Sequence, residues 1–161
     1  MKAPSETEQE TTVIRPAPDA IELRRYYPAP VALMWRLWTD PAHFARWWGP
    51  VGMRCTRCEI DLKPGGVWLT TITGADGSTH TVAGRYHEID EPHRLAYSWQ
   101  WQNDSGPGHE SRVTVTFEPS GEGCVVHVLH QNLGEGQPDS HLEGWTGCLT
   151  SLAELVQTNP E

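Results

Sequence analysis

The chain has 161 residues, enough for one domain of ordinary size that buries roughly 70% of its unfolded surface. Twelve basic and 21 acidic residues give a net charge of −9 without a visible basic cluster, so nucleic acid and anionic membrane surfaces are poor candidate partners. No apolar run reaches the ~20 residues that span a bilayer, and the N-terminus lacks the apolar core of a signal peptide, so a cytoplasmic location is expected.

The first part of the chain differs in composition from the rest. Residues 1 to 18 are rich in Glu, Thr and Pro, which favours a disordered N-terminal tail. A single domain is therefore predicted over residues 19 to 158. Its first strand is predicted in AIELRRYYPAP, where the strand ends at Pro28.

The next segment, VALMWRLWTDPAHFARWWGP, predicts two short amphipathic helices and holds four of the eight tryptophans. Asp40 suits the cap of the second helix, and Pro41 suits its first position, where a missing N–H costs nothing. Neither helix can bury its apolar face alone, so both must pack on a larger element. Of the four tryptophans, Trp35 and Trp38 are assigned to the core, and Trp47 and Trp48 to one end of an enclosed space.

From residue 51 the hydrophobic pattern has period two and predicts about six antiparallel strands, with turns at KPGG and GADGS. The strand RLAYSWQW alternates cleanly between one large apolar face and one small or polar face.

The last segment of the chain has the hydrophobic period of a helix. Its apolar stripe is formed by Leu142, Trp145, Leu149, Leu152 and Val156. A one-faced sheet and a one-faced helix must cover each other, which predicts an α+β fold.

Cys55 and Cys58 form a C-x-x-C sequence, a spacing that occurs in zinc and redox sites. Their surroundings predict a strand, in which residues three apart point to opposite faces. No second pair follows at the spacing of a zinc ribbon. These cysteines are therefore predicted to be structural, and no metal is expected.

The chain resembles the START-like helix-grip superfamily, in particular the family named for homology to the activator of the 90-kDa heat-shock protein ATPase. The segments that carry the resemblance are PAPVALMWRLWTDPAHFARWWGP (28–50), DLKPGGVW (61–68), GRYHEIDEPHRLAYSW (84–99), VTVTFEP (113–119) and HLEGWTGCLTSLAELV (141–156). The resemblance implies a curved antiparallel sheet wrapped around a long C-terminal helix, with a cavity between them. It also implies that most relatives bind hydrophobic or aromatic small molecules, that some are polyketide cyclases or aromatases, and that the eukaryotic namesake acts on a chaperone.

No G-x-S-x-G, H-E-x-x-H or phosphate-binding loop is present, so no catalytic residue is assigned and no cofactor is expected. His127 and His130 lie three apart on a predicted strand and should face opposite sides, which argues against a shared metal. His130 shares a face with Cys124, Val126 and Val128. It is interpreted either as a polar group inside the pocket or as a capped histidine at the strand end.

The main functional hypothesis is non-catalytic binding of a hydrophobic, aromatic small molecule, because large rings commonly line concave apolar sites. The predicted site residues are Trp47, Trp48, Trp68, Tyr86, Tyr97, Trp99, Trp101, His130, Trp145 and Leu149. The alternative for these rings is a solid core without a cavity. The alternative functions are a chaperone-interacting module and a cyclase- or aromatase-type enzyme. The oligomeric state cannot be read from the sequence.

Overall fold

The computed structural model describes residues 11–49, 52–103, 106–134 and 138–158. Its helices are α1 (Val31–Thr39), α2 (Pro41–Phe44) and the long C-terminal α3 (Pro138–Thr158). Its strands are β1 (Thr12–Ala17), β2 (Ala20–Tyr27), β3 (Met53–Ile60), β4 (Val67–Gly74), β5 (Thr79–Asp90), β6 (Arg94–Asn103), β7 (Gly106–Pro107), β8 (Ser111–Ser120) and β9 (Gly123–Gln131). The two short helices thus join β2 to β3.

The strands form one antiparallel sheet in the order β1-β2-β9-β8-β6-β5-β4-β3, with the short β7 paired to β6. Extra residues interrupt the pairing of β3 with β4 between Cys55 and Arg57, and of β5 with β6 between Tyr86 and Glu88. Bulges of this kind bend a strand and increase its twist, and here the sheet curves around α3. The predicted helix-grip architecture is confirmed.

The N-terminal segment differs from the expected tail in the part that the structure describes. Residues 12 to 17 form β1, which pairs with β2 through partners such as Val13 and Leu23. All six β1 side chains are exposed, so the strand is attached through backbone hydrogen bonds and buries little apolar surface. Amino-acid composition predicts whether a segment can bury apolar side chains. It therefore gives no signal for a strand such as β1, which is held by backbone hydrogen bonds. Residues 1 to 10 lie outside the described residues.

The helix-start signal at Asp40 is confirmed. Its Oδ1 accepts hydrogen bonds from the backbone N–H groups of Ala42 at 2.9 Å and His43 at 3.4 Å. The second helix ends at Phe44, earlier than the aromatic pattern suggests. The amides of Trp47 and Trp48 still donate to the Phe44 carbonyl, at 3.3 and 3.0 Å. The aromatic side chains therefore stay together, although most of them lie on a turn.

Burial confirms the apolar stripe of α3 and the large apolar face of β6. On β6, Tyr97 and Trp99 are buried and Trp101 is half-buried, but the small Ala96 and Ser98 of the other face are buried too, so burial does not alternate along this strand. On α3, Trp145 and Leu149 are buried against the sheet. Within the described part of the chain, no helix combines the length and the hydrophobicity that crossing a membrane requires.

Candidate functional site

A cavity of about 230 Å³ lies between α3 and the inner face of the sheet. The indole of Trp48, from the turn after α2, closes one side of it. The complete lining is Trp48, Thr70, Ile72, Val82, Trp99, Trp101, Ser140, His141, Gly144, Trp145 and Cys148. These residues present an almost wholly apolar surface, with no acidic or basic side chain other than that of His141. The core therefore contains an apolar cavity.

Three of the cavity indoles contact one another and so define a preformed wall. The ring centroids of Trp48 and Trp145 are 5.3 Å apart, those of Trp99 and Trp145 5.5 Å, and those of Trp48 and Trp99 5.8 Å. Trp48 meets both partners nearly edge to face, an arrangement that aromatic pairs prefer. Its Nε1–H donates to the Thr70 hydroxyl at 3.0 Å, which fixes the ring and satisfies its polar atom.

A chain of buried hydrogen bonds fixes the position of the Trp145 indole. Its Nε1–H donates to Nδ1 of the fully buried His130 at 3.0 Å. Because Nδ1 accepts, the proton of the neutral ring is on Nε2, which donates to the Ser111 hydroxyl at 2.7 Å. That hydroxyl donates to the Trp99 carbonyl at 3.3 Å. The chain thus ties the helix wall of the cavity to strand β6.

The pKa of His130 lies well below its ordinary value, because burial disfavours the charged ring and the nearby His141 acts in the same direction. The buried ring is therefore neutral at pH 7. Neutrality is also what the network requires, since a protonated Nδ1 could not accept from Trp145.

The lowered pKa of His130 predicts a pH-dependent stability. The unfolded chain takes up the proton first as the pH falls, so this contribution is complete above about pH 6.5 and declines below it toward the folded-state pKa, by up to ~1.4 kcal/mol per pH unit. We expect urea unfolding between pH 7.5 and 5 to show this slope in the wild type and His127→Gln, and a reduced slope in His130→Gln. Equal slopes in the wild type and His130→Gln would contradict the assignment.

His141 is, with Ser140, one of two polar residues of α3 that line the cavity. Its Nε2 accepts a hydrogen bond from Trp101 Nε1 at 3.1 Å, and its ring centroid is 5.1 Å from that of His130. Both of its aromatic neighbours across the gap, Trp99 and Trp101, belong to β6. His141 therefore adds a polar ring to the indole wall.

The predicted site residues divide into three groups. Those that line the cavity are Trp48, Trp99, Trp101 and Trp145. Those that line only a second void, of about 20 Å³, are Trp68, Tyr86 and Tyr97. Those that border neither are Trp47, His130 and Leu149. A void of about 20 Å³ has room for about one water molecule. The larger cavity is therefore the candidate ligand site.

Trp47 belongs to the aromatic core. It is 1% exposed and packs against Trp38 and Phe44 at centroid distances of 4.8 and 4.9 Å. Its Nε1–H donates to the Leu37 carbonyl at 2.8 Å. Leu149 is likewise fully buried, and its carbonyl accepts from the Tyr27 hydroxyl at 2.8 Å. Both residues stabilise the fold around the cavity without facing it.

Sequence reasoning missed the smaller lining residues. They are Thr70, Ile72, Val82, Ser140, His141, Gly144 and Cys148. On α3 a signal was available, because His141, Gly144 and Cys148 are spaced i, i+3, i+7 around Trp145. On the sheet, Val82 reaches the cavity because it pairs with Thr70. The pairing register of β4 and β5 depends on the tertiary structure, so it could not be predicted from the local sequence.

The cysteine pair requires a correction. The extra residue between Cys55 and Arg57 shifts the alternation of β3, so Cys55 pairs with Ile72 and Cys58 with Thr70. Ile72 and Thr70 both line the cavity, and cross-strand partners share a face, so both thiols point inward. The prediction of opposite faces was wrong because it assumed an unbroken strand. Across the described ranges, no group of three or more His, Cys, Asp or Glu side chains could hold a metal ion.

A curved antiparallel sheet around a long C-terminal helix, with an apolar cavity between them, defines a START-like helix-grip protein. This chain belongs to the family "Activator of Hsp90 ATPase homolog 1-like protein", whose sequence model matches residues 28–157. The resemblance seen in the sequence motifs is thereby confirmed.

Solved structures of similar proteins agree with this assignment. A Chromobacterium violaceum protein is 28% identical, with a TM-score of 0.80 over 89% of this chain and 100% of its own. The AHSA1 protein of Silicibacter pomeroyi is 26% identical, with a TM-score of 0.79 over 86% of this chain and 97% of its own. An AHSA1-like protein of Aeromonas hydrophila, 22% identical with a TM-score of 0.74 over 88% of this chain and 95% of its own, shares the fold. No curated protein matches this chain.

Proposed function

We propose that this protein binds an uncharged aromatic small molecule of one or two rings, non-covalently, in the cavity between α3 and the sheet. The observation that carries the proposal is an apolar cavity of about 230 Å³ whose wall contains four indoles. An apolar cavity of about 150 Å³ is known to accept benzene, so this one has room for a second ring. It is smaller than the ~300–1,000 Å³ of pockets for drug-sized ligands, which sets an upper limit on ligand size.

The chemistry of the wall supports an uncharged ligand. Transfer of a charged group into an apolar site costs several kcal/mol unless a counter-charge meets it. Among the lining residues, His141 is the one that could supply a positive charge, and burial raises the pKa of the Cys148 thiol so that it stays neutral at pH 7. Rings that enter the cavity would meet the edges and faces of Trp48, Trp99 and Trp145, whose contacts with one another already hold them in place. A preformed wall lowers the entropic cost of binding.

Two other functions remain hypotheses, and the cavity does not favour either. The family name refers to activation of the Hsp90 ATPase, which makes a chaperone-directed role in the cytoplasm a reasonable alternative. A cyclase- or aromatase-type reaction would use the same cavity with one or two polar groups, for which His141 is a candidate. Binding of simple aromatic molecules, with no reaction and no protein partner, is expected from the proposed function and is not required by either alternative.

Gly144 provides a direct test, because it lines the cavity and a Cβ there would meet no heavy atom within 4 Å. Leucine at this position should occupy the cavity, whereas alanine should leave most of it open. Neither change should destabilise the fold, since glycine inside a helix costs roughly 1 kcal/mol relative to alanine. We expect indole and naphthalene to bind the wild type and Gly144→Ala with 1:1 stoichiometry. We expect Gly144→Leu to weaken both at least about tenfold, the effect of about 1.4 kcal/mol.

The titration is followed by intrinsic fluorescence and calorimetry, and the melting temperatures of both variants are the folding control. Loss of binding in a Gly144→Leu variant that melts at or above the wild-type temperature supports the proposal. Absence of saturable binding to the wild type across a panel of one- and two-ring aromatics would contradict it. Equal affinity in the wild type and Gly144→Leu would place the ligand elsewhere.

A further inference from the structure

The pair Cys55 and Cys58 is a chemically reactive feature that ligand binding does not use. Both thiols are free and half-buried on the inner side of the edge strand β3. The bulge makes their cross-strand partners, Ile72 and Thr70, only two residues apart. Two residues of strand span roughly 6.6 Å, which lies within the 4.4–6.8 Å between Cα atoms that a disulfide bridges. Of the two exposed residues between them, Thr56 is the extra residue of the bulge, and its hydroxyl is hydrogen-bonded to the Thr73 hydroxyl at 2.8 Å.

The two thiols already interact. The pKa of Cys55 is lowered, first by its hydrogen bond with the Cys58 thiol, and burial opposes this. While it is protonated, the Cys55 thiol donates to the Arg57 carbonyl at 3.2 Å. The hydrogen bond between the two thiols, followed by burial, raises the pKa of Cys58. Cys55 is therefore the better nucleophile, and Cys58 keeps its proton while Cys55 is a thiolate.

We propose that Cys55 and Cys58 are a modification site, where a reversible intramolecular disulfide forms across the β3 bulge by exchange with a small-molecule disulfide such as oxidised glutathione. The pair differs from a thioredoxin-type site, which lies at a helix N-terminus, because here a strand irregularity brings the two side chains together.

The exchange takes place in two balanced steps. The Cys55 thiolate attacks one sulfur of oxidised glutathione, a mixed disulfide forms, and one glutathione thiolate leaves. The negative charge on Cys55 is then gone, so Cys58 no longer donates to a thiolate and releases its proton more readily to solvent. Its thiolate attacks the Cys55 sulfur and expels the second glutathione thiolate. The protein loses two electrons, and oxidised glutathione gains them and becomes two thiols.

Cys148 is the competing partner that the experiment must separate. It lies on α3, lines the cavity, and is close enough to Cys55 for the thiolate charge to raise its pKa. Burial is the larger cause of that rise and brings the pKa of Cys148 to about 12, so this thiol is a poor nucleophile at neutral pH. Exchange should therefore proceed to Cys58.

The test is equilibration of the full chain with reduced and oxidised glutathione, followed by acid quenching, alkylation in denaturant so that the buried Cys124 and Cys148 also react, and mass spectrometry. We expect two of the four thiols to become unreactive, in a monomer about 2 Da lighter than the reduced protein. Trypsin cuts after Arg57, so the disulfide should link two separate peptides. Cys148→Ser should form the same Cys55–Cys58 disulfide, and Cys58→Ser should stop at one glutathione on Cys55.

Three results would overturn the proposal. One is retention of all four alkylatable thiols under strongly oxidising glutathione ratios. Another is a disulfide that joins Cys55 to Cys148, or two chains to each other. The third is a Cys58→Ser variant that takes up no glutathione at Cys55 while Cys58 in Cys55→Ser does, which would reverse the assigned roles.

Discussion

Trp47→Ala is expected to destabilise the protein by ~3–5 kcal/mol, the cost of truncating a large ring in a packed core. The side chain is 1% exposed, and its ring packs against Trp38, Phe44 and Trp48 with centroids 4.8 to 5.7 Å apart. Alanine would leave a void at the centre of this cluster and remove the donor to the Leu37 carbonyl, 2.8 Å away. Denaturant unfolding measures the loss.

Trp101→Ala is the matched control for this prediction. Trp101 is half-buried and borders the cavity, with its Nε1–H on His141. Its truncation enlarges an existing opening, so we expect a smaller cost, below ~2 kcal/mol, together with weaker binding of aromatic probes. The reverse pattern, with binding lost in a stable Trp47→Ala protein, would return Trp47 to the ligand site that the sequence predicts.

Trp145→Ala is expected to affect stability and binding together. The ring lines the cavity and stacks on Trp38 at 6.2 Å, and its Nε1–H donates to the fully buried His130. Alanine removes this wall and leaves Nδ1 of His130 without its donor, at a cost of ~1–3 kcal/mol for the hydrogen bond alone. Because the space joins a cavity that already exists, the packing loss should be less than for Trp47→Ala.

Trp145→Phe separates these two effects. Phenylalanine keeps an apolar ring beside Trp99 but cannot donate to His130, so it should retain much of the probe affinity and lose ~1–3 kcal/mol of stability. Denaturant unfolding and probe titration of both variants provide the two readouts. If Trp145→Phe and Trp145→Ala lose affinity equally while their stabilities differ little from wild type, the indole N–H and not the ring area determines binding.

The parts of the fold that could be predicted from the sequence are those in which one face of an element is buried. The large apolar face of β6 and the stripe of α3 predict Trp99 and Trp145 on facing surfaces, and their ring centroids are 5.5 Å apart. The pattern does not predict that Ala96 and Ser98, on the other face of β6, are buried as well. The cap at Asp40 is equally local, since its two acceptor contacts are to residues 42 and 43.

The remaining features depend on register and packing. Trp47 and Trp48 are adjacent and chemically identical, yet one donates to Leu37 in the core and the other to Thr70 at the cavity. No local pattern separates them, because the turn after α2 sets their directions. The bulge at Cys55 could not be predicted from the local sequence either. One extra residue moves the side chains that follow it in β3 to the opposite face of the sheet, and β3 contains no Gly or Pro that would indicate a bulge.

The most direct test of the central claim is an NMR titration that follows the indole N–H signals of the eight tryptophans while naphthalene is added. The proposed site predicts saturable shifts that are largest for Trp48, Trp99, Trp101 and Trp145, with much smaller changes for Trp35 and Trp47 in the core. It also predicts that Gly144→Leu needs at least about ten times more naphthalene to reach the same shifts. Three results would contradict binding in this cavity. They are the absence of saturable shifts, shifts that are largest for tryptophans away from the cavity, and shifts that are the same in Gly144→Leu as in the wild type at equal naphthalene concentration.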